Sequence, residues 1–296
     1  MKILITGAQG FVGSNLFLGL KKDYKIIGIG RKNKNFISRD KRIVEKKITY
    51  KNLVSLSFEP ELIIHCAGSG SVSRSIQDQK LDYDKNVNTT KELIYFISNL
   101  KNKPKVIVFS SAAVYGNSCT KNKKKLKPIS PYGKNKLRSE NIFIKKSKKI
   151  KFQLTILRFY SIYGAGLKKQ LIWDACKKIK YKKNYFFGTG EEIRSWINIK
   201  DVINFINFLI KKNLKNNKIL DVSSNIIIKN KTLLTMLFKL SNFKEKPIFN
   251  NIKKRGDPKK QIFNNHRLKV FGWSCKIKLL NGLNEYIKWF RKNLKK

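Results

Sequence analysis

Acidic side chains are scarce in this sequence: 18 Asp and Glu stand against 66 Lys and Arg in 296 residues, a formal net charge of +48. Nothing within the chain balances that excess, which taken alone points to an acidic partner. Histidine is scarcer still, with only two. His65 falls inside an apolar run and His266 in a polar stretch, so neither has companions for a metal site. The four cysteines, Cys66, Cys119, Cys176 and Cys275, lie far apart with no CxxC and no Cys/His ligand spacing. That excludes a disulfide scaffold and a zinc site, and it fits a reducing cytoplasm. No apolar run reaches the roughly 18 residues a membrane-spanning helix needs. Met1 to Gly7 enters a short apolar run closed by glycine, without the longer apolar stretch and small-residue cleavage site of a signal peptide. Hydrophobic residues make up 41% of the chain, enough for a real core and too many for a wholly disordered one.

What is present is a rhythm. Nearly continuous apolar runs at Ile3 to Thr6, Lys25 to Ile29, Leu62 to Cys66, Lys105 to Ser110 and Leu154 to Arg158 have the character of strands buried on both faces. Between them, Phe11 to Lys21, Tyr83 to Leu100 and Lys134 to Lys146 carry apolar residues at helical spacing. Strand, helix, strand in this order predicts an α/β fold, a Rossmann-type doubly wound parallel sheet. After Gly164 the pattern loosens, with helices expected at Lys169 to Lys180 and Asp201 to Lys212 and a strand at Lys218 to Val222. We therefore expect a dinucleotide-binding domain over residues 1–165, rejoined by residues 200–224. Residues 166–296 would be mainly a smaller, interleaved α/β substrate region. There is no internal repeat and no Gly/Ser or Pro linker.

The run Gly7-Ala8-Gln9-Gly10-Phe11-Val12-Gly13 lies where the first strand hands over to the first helix. Glycines there allow a tight turn, let a pyrophosphate approach the amides at the positive helix end, and let helix pack on strand. After the second strand, a carboxylate would bond the adenosine ribose of NAD, whereas a basic residue accommodates the 2′-phosphate of NADP. The chain has Gly30-Arg31-Lys32 at that place, so the cofactor is NAD or NADP, with NADP favoured by Arg31.

Tyr132 and Lys136 are one helical turn apart and share a helix face. A neighbouring ammonium favours the phenolate, so the tyrosine is expected to have a lowered pKa and to exchange a proton with a sugar hydroxyl. Ser111 follows a buried strand and would orient the reacting oxygen.

Together, Gly7-x-x-Gly10-x-x-Gly13, Ser111 with Val114-Tyr115-Gly116, and Tyr132-x-x-x-Lys136 resemble the extended short-chain dehydrogenase/reductases, specifically the nucleotide-sugar epimerase/dehydratase family. Similar stretches run on in family order: Ile64-His65-Cys66-Ala67-Gly68, Asn86-Val87-Asn88-Thr89-Thr90, Leu157-Arg158-Phe159-Tyr160-Ser161-Ile162-Tyr163-Gly164, Gly188-Thr189-Gly190 with Arg194-Ser195-Trp196-Ile197, and Arg255-Gly256-Asp257. The resemblance implies a catalytic trio of Ser111, Tyr132 and Lys136, with Lys136 also on the nicotinamide ribose. It implies that Ala67 and Gly68 pass the cofactor and that Asn86 supports its site. It assigns Arg194 to the nucleotide diphosphate of a sugar substrate, Ser161 to a substrate contact, and Arg255 or Lys254 to a second basic contact. Helices Tyr83 to Leu100 and Lys134 to Lys146 match those through which relatives pair as homodimers.

Three departures narrow the reaction. Dehydratases of the family carry an Asp-Glu pair where this chain has Ala112 and Ala113, which argues against a 4,6-dehydratase. Ser161 replaces an asparagine frequent in UDP-galactose-type epimerases, and the carboxylate after the second strand is missing. The first expectation is C4 epimerisation of a nucleotide-linked hexose through a transient 4-keto sugar. The alternative is NADPH-dependent reduction of a 4-keto-6-deoxy nucleotide sugar. A non-catalytic dinucleotide-binding regulator would be free to lose Tyr132 and Lys136, which this chain keeps. A nucleic-acid binder would need its lysines in one stripe, but clusters such as Lys121 to Lys125, Lys145 to Lys149 and Lys211-Lys212 are scattered, so no specific nucleic-acid partner is expected.

Overall fold

A computed structural model describes the chain except residues 33–39, 119–124, 214–216, 254, 263–265 and 295–296. Cys119, Lys254 and most of the Lys121 to Lys125 cluster thus lie outside the described residues, as does the side chain of His266. The strands in chain order are β1 (Lys2–Thr6), β2 (Lys25–Ile29), β3 (Ile43–Val44), β4 (Leu62–His65), β5 (Lys105–Ser111), β6 (Leu154–Phe159), β7 (Ser161–Tyr163), β8 (Tyr185–Phe186), β9 (Ile193–Asn198), β10 (Lys218–Val222), β11 (Ile226–Lys229), β12 (Ile248–Phe249) and β13 (Lys260–Gln261). The helices are α1 (Phe11–Leu20), α2 (Tyr50–Val54), α3 (Val72–Gln77), α4 (Gln79–Tyr83), α5 (Thr89–Asn99), α6 (Pro131–Ile150), α7 (Gln170–Lys180), α8 (Ile199–Lys212), α9 (Asn230–Leu240), α10 (His266–Val270) and α11 (Leu279–Leu294). Two compact units share them: Met1–Val114, Pro128–Phe159 and Ile206–Asp221 form the first, and Tyr115–Lys127, Tyr160–Phe205 and Val222–Lys296 the second.

The first unit is built on a seven-stranded sheet of order β10-β6-β5-β4-β1-β2-β3. Its pairings from β6 to β3 are parallel, in a register that aligns Leu154, Val106, Ile63, Leu4 and Ile27 across five strands. Such a row of β-branched and leucine side chains suits a sheet covered on both faces. On one face Leu93, Ile97 and Phe143 from α5 and α6 close over Leu4, Ile63, Val108 and Ile156, all buried. Strand order reverses beside β1, between β4 and β2, and ligands of open α/β sheets bind at that switch point beyond the strand ends.

Helix α6 starts and stops by recognisable local chemistry. Ser130 Oγ accepts from the Gly133 amide at 3.1 Å, Pro131 occupies the first turn, and Lys151 closes the helix in the left-handed conformation. The continuous helix expected from Tyr83 to Leu100 is instead interrupted. Between α4 and α5, Asp84–Asn88 forms one wide π-turn that buries Asn86 and Val87. The Asn86 amide donates to Asp82 O at 2.9 Å and Thr90 Oγ1 donates to Asn86 O at 2.7 Å, so side chains hold the widened turn.

The second unit has shorter strands. β9 lies between antiparallel β11 and parallel β13, β7 also pairs with β9, and β8 pairs with β12 separately. Its core is aromatic: Phe186 packs near Phe238 and Phe249, and Trp173 meets Phe290 edge-on with centroids 5.1 Å apart. The Asn184 to Phe187 stretch is thereby divided, with Phe186 buried and Tyr185 and Phe187 exposed.

Candidate active site

The glycine turn between β1 and α1 is shaped for close approach. Gly7 has φ +74°, and a Cβ there would sit 2.7 Å from the Ala67 amide nitrogen; one at Gly13 would sit 2.3 Å from Gly7 O. No side chain caps α1 at Gly10, and its first turn, with Phe11 and Val12 half-buried, carries no acid. Its first amides and positive end are therefore available to a pyrophosphate. At the end of β4, Gly68 has φ +140°, and a Cβ on it would meet Asn86 Oδ1 at 2.6 Å and Lys136 Nζ at 3.1 Å. Ala67, Gly68, Asn86 and Lys136 thus converge, and Asn86 Oδ1 is buried without a hydrogen-bond partner among the described residues. The cradle that only glycine leaves open, and the unused acceptor beside it, fit a dinucleotide.

Arg31 is exposed and donates to Asp84 Oδ2 at 3.0 Å, an ion pair between the end of β2 and the π-turn. The Arg31 hydrogen bond holds the Asp84 carboxyl below its usual range. Sequence gave no hint of this pair, since the partners are 53 residues apart.

Ser111 ends β5 and Tyr132 opens α6, with the Ser111 hydroxyl near enough to the phenol to lower its pKa against burial. The Tyr132 amide donates to Ser75 Oγ at 3.1 Å, and Asn135 Nδ2 donates to the buried Asp82 carboxylate at 2.8 Å, fixing the first turn of the helix. Lys136 is buried and donates to Phe109 O at 3.1 Å. The lowered phenol pKa expected for Tyr132 is not what the fold produces. Burial raises it to about 12, the Ser111 hydrogen bond pulls the other way, and the nearby Asp82 charge raises it further. Desolvation of the phenolate is the largest of these effects. His65, hydrogen-bonded to Thr6 Oγ1 at 2.8 Å, is held neutral by burial and by the Lys136 charge, with its pKa lowered to about 3.

In the second unit, Arg194 stands buried on β9 between its neighbours on β11 and β13. It donates to Asp257 Oδ1 at 2.7 Å and to Ile193 O at 2.9 Å. Arg255 is exposed and Ser161, on β7, is half-buried. Among the described residues no cluster of His, Cys, Asp and Glu is grouped to hold a metal, and no helix is long and apolar enough to cross a membrane. Residues not singled out from the sequence that shape the first unit's site are Ser75, Asp82, Asp84, Ser110, Glu140 and Arg158. Only Glu140 carried a signal, because it falls one further turn along the face of Tyr132 and Lys136.

Known proteins of matching architecture include a UDP-glucose 4-epimerase of Thermotoga maritima solved with UDP-glucose. It superposes with a TM-score of 0.89 at 24% identity over 99% of this chain and 100% of that one. In sequence, a UDP-glucose 4-epimerase of Mycoplasma genitalium is 29% identical over 73% of each chain. A dTDP-D-glucose 4,6-dehydratase of Bos taurus is 24% identical over 99% of this chain and 89% of its own length. A family model covers residues 3–223, spanning the glycine turn, Ser111, Tyr132 and Lys136, and the sheet that carries them. On these grounds the chain belongs to the NAD dependent epimerase/dehydratase family.

Proposed function

We propose that the chain is a nucleotide-sugar epimerase that inverts C4 of an NDP-hexose. The observation that carries this is the assembled Ser111–Tyr132–Lys136 group next to Ala112 and Ala113, both buried where a dehydratase would need its acid pair. Without a carboxylate there, elimination of water has no acid or base in place.

Tyr132 would take the proton of the C4 hydroxyl as a phenolate, favoured by the Lys136 charge against the burial that raises its pKa, while Ser111 holds the same oxygen, and it would return the proton once the 4-keto sugar has turned over. Lys136, one turn along the same helix face, would favour the phenolate and would bond the nicotinamide ribose with Gly68 and Asn86 alongside. When bound, the nicotinamide supplies the hydride acceptor and donor. Arg194 would exchange Asp257 for the substrate's diphosphate, with Ser161 and Arg255 as further substrate contacts. Either NAD or NADP fits the glycine cradle. Arg31 favours NADP, since its guanidinium would trade Asp84 for a 2′-phosphate. The same feature supports a second reading, an NADPH-dependent reductase of a 4-keto-6-deoxy nucleotide sugar. The exposed Tyr95 on α5 and Leu81 on α4 support a homodimer through the helices of this face.

The test is to incubate purified protein with UDP-glucose and no cofactor beyond what it retains. Steady conversion to the C4 epimer is expected. Conversion of a 4-keto sugar only, with one NADPH consumed per turnover, would replace the epimerase reading by the reductase one.

A further inference from the structure

Behind the catalytic pair, three successive residues at the end of β5 are tied to three residues of α6 that recur every four positions. The Phe109 carbonyl accepts from Lys136 Nζ at 3.1 Å, the Ser110 hydroxyl donates to Glu140 Oε1, and the Ser111 hydroxyl faces the Tyr132 phenol closely enough to lower its pKa. Positions four apart lie on one helix face, so this face meets the strand end at Tyr132, Lys136 and Glu140 together. Glu140 is only 1% exposed, and Arg158 from β6 grips it with Nε at 3.0 Å and 3.2 Å and with a terminal nitrogen at 2.6 Å. Every hydrogen-bonding direction of this carboxylate is spent inside the protein. Lys136, Glu140 and Ser110 also line one small cavity with His65, Asn86 and Ser139.

A buried ion pair seldom outperforms apolar packing of the same volume, so a stability role alone does not call for one here. What this pair does that apolar side chains would not is fix a direction. The Glu140 tie to Ser110 holds the peptide between Phe109 and Ser110, and the carbonyl of that peptide is the acceptor that aims Lys136.

We infer that Glu140 is a positioning residue: through Ser110, and with Arg158 as its counter-charge, it holds the Phe109 carbonyl where Lys136 must point to serve Tyr132. The inference rests on the proposed reaction for its kinetic consequence, and on the fold alone for its geometric one.

Two variants separate this from a structural role. Ser110→Ala cuts the tie but leaves the ion pair, and Glu140→Gln keeps an acceptor for Ser110 while removing the charge. With UDP-glucose, Ser110→Ala is expected to lower kcat by about 10–100-fold, the usual cost of a small misplacement. KM should stay within about twofold, as for a loss felt at the transition state. Ser110→Thr, which restores a hydroxyl, should recover kcat. Glu140→Gln should also move the acid limb of the kcat profile to lower pH, because removing a negative charge disfavours protonation of the Tyr132–Lys136 pair. Crystal structures of Ser110→Ala and the parent chain give a readout without substrate: the Lys136 Nζ to Phe109 O separation should open beyond about 3.5 Å, out of hydrogen-bond reach. An unchanged separation, or a folded Ser110→Ala protein with parental kcat and pH profile, overturns the inference. If the parent chain leaves UDP-glucose untouched, the reaction reading fails instead, and the separation still decides the role of Glu140.

Discussion

Arg158 in the first unit and Arg194 in the second are equally hidden, with side chains 10% and 9% exposed, yet their partners differ. Arg158 is paired to Glu140, 1% exposed, by a two-pronged grip, whereas Arg194 has one bond to Asp257, 36% exposed, and one to a backbone carbonyl. The first pair is closed, since breaking it would leave a charge stranded in a dry interior. The second is half open, because Asp257 can return to water when a better anion arrives. The two units follow the same contrast: one is a registered parallel sheet carrying an interlocked trio, the other short strands holding an exchangeable cation. The proposed function assigns chemistry to the part that cannot relax and recognition to the part that can.

The largest way to sharpen this contrast is Tyr132→Phe, expected to reduce turnover by about 10²–10⁴-fold, the worth of a positioned acid–base group. Dinucleotide binding, followed by calorimetry, should survive it. Substantial remaining turnover would move the chemistry elsewhere. Next comes stability. Glu140→Ala should cost about 3–5 kcal/mol in urea unfolding by stranding Arg158, whereas Asp257→Ala should cost less, about 1 kcal/mol, because Asp257 itself is 36% exposed and Arg194 keeps its bond to the Ile193 carbonyl. Equal costs would erase the distinction between closed and open pairs. Arg194→Ala should raise KM for a nucleotide sugar by about 10–100-fold, the value of a charged hydrogen bond or two, with kcat held. A fall in kcat at constant KM would instead tie Arg194 to the chemistry.

The smallest effect is a slope. His65 has a folded pKa of about 3 against 6.5 in an open chain, so below pH 6.5 the unfolded state binds the proton that the folded state refuses. Stability from this group is complete above pH 6.5 and is lost as pH falls towards 3, at no more than about 1.4 kcal/mol per pH unit. His65→Gln should flatten that part of the urea-unfolding profile, and an unchanged slope would mean that other groups titrate there.

Much of the site was legible because its parts are local. The glycine turn is seven residues long, and Tyr132 and Lys136 are fixed on one face by helix geometry alone. The scarcity of acids also acquires meaning in the fold: Asp82, Glu140 and Asp201 are all buried, and Asp201 accepts from the amides of Lys276 and Ile277 at 2.9 Å and 3.1 Å. A chain so poor in carboxylates commits several to interior hydrogen bonds, while most lysines stay in solvent. The pairing of Arg31 with Asp84 was not legible, since no periodicity links positions 53 apart. Nor was the π-turn at Asp84–Asn88, because its composition is that of an ordinary helix and side chains from elsewhere in the turn sustain it.

Sequence by itself determined the alternation of strand and helix, the glycine cradle and the placing of Tyr132 and Lys136 on one helix face. All of these follow from spacing within a few residues, where backbone geometry leaves little choice. Tertiary structure alone decided the upward shift of the Tyr132 phenol, the partner of each buried arginine and the peptide that aims Lys136. Those depend on desolvation and on charges brought together across the sheet, and neither quantity exists until the chain has folded.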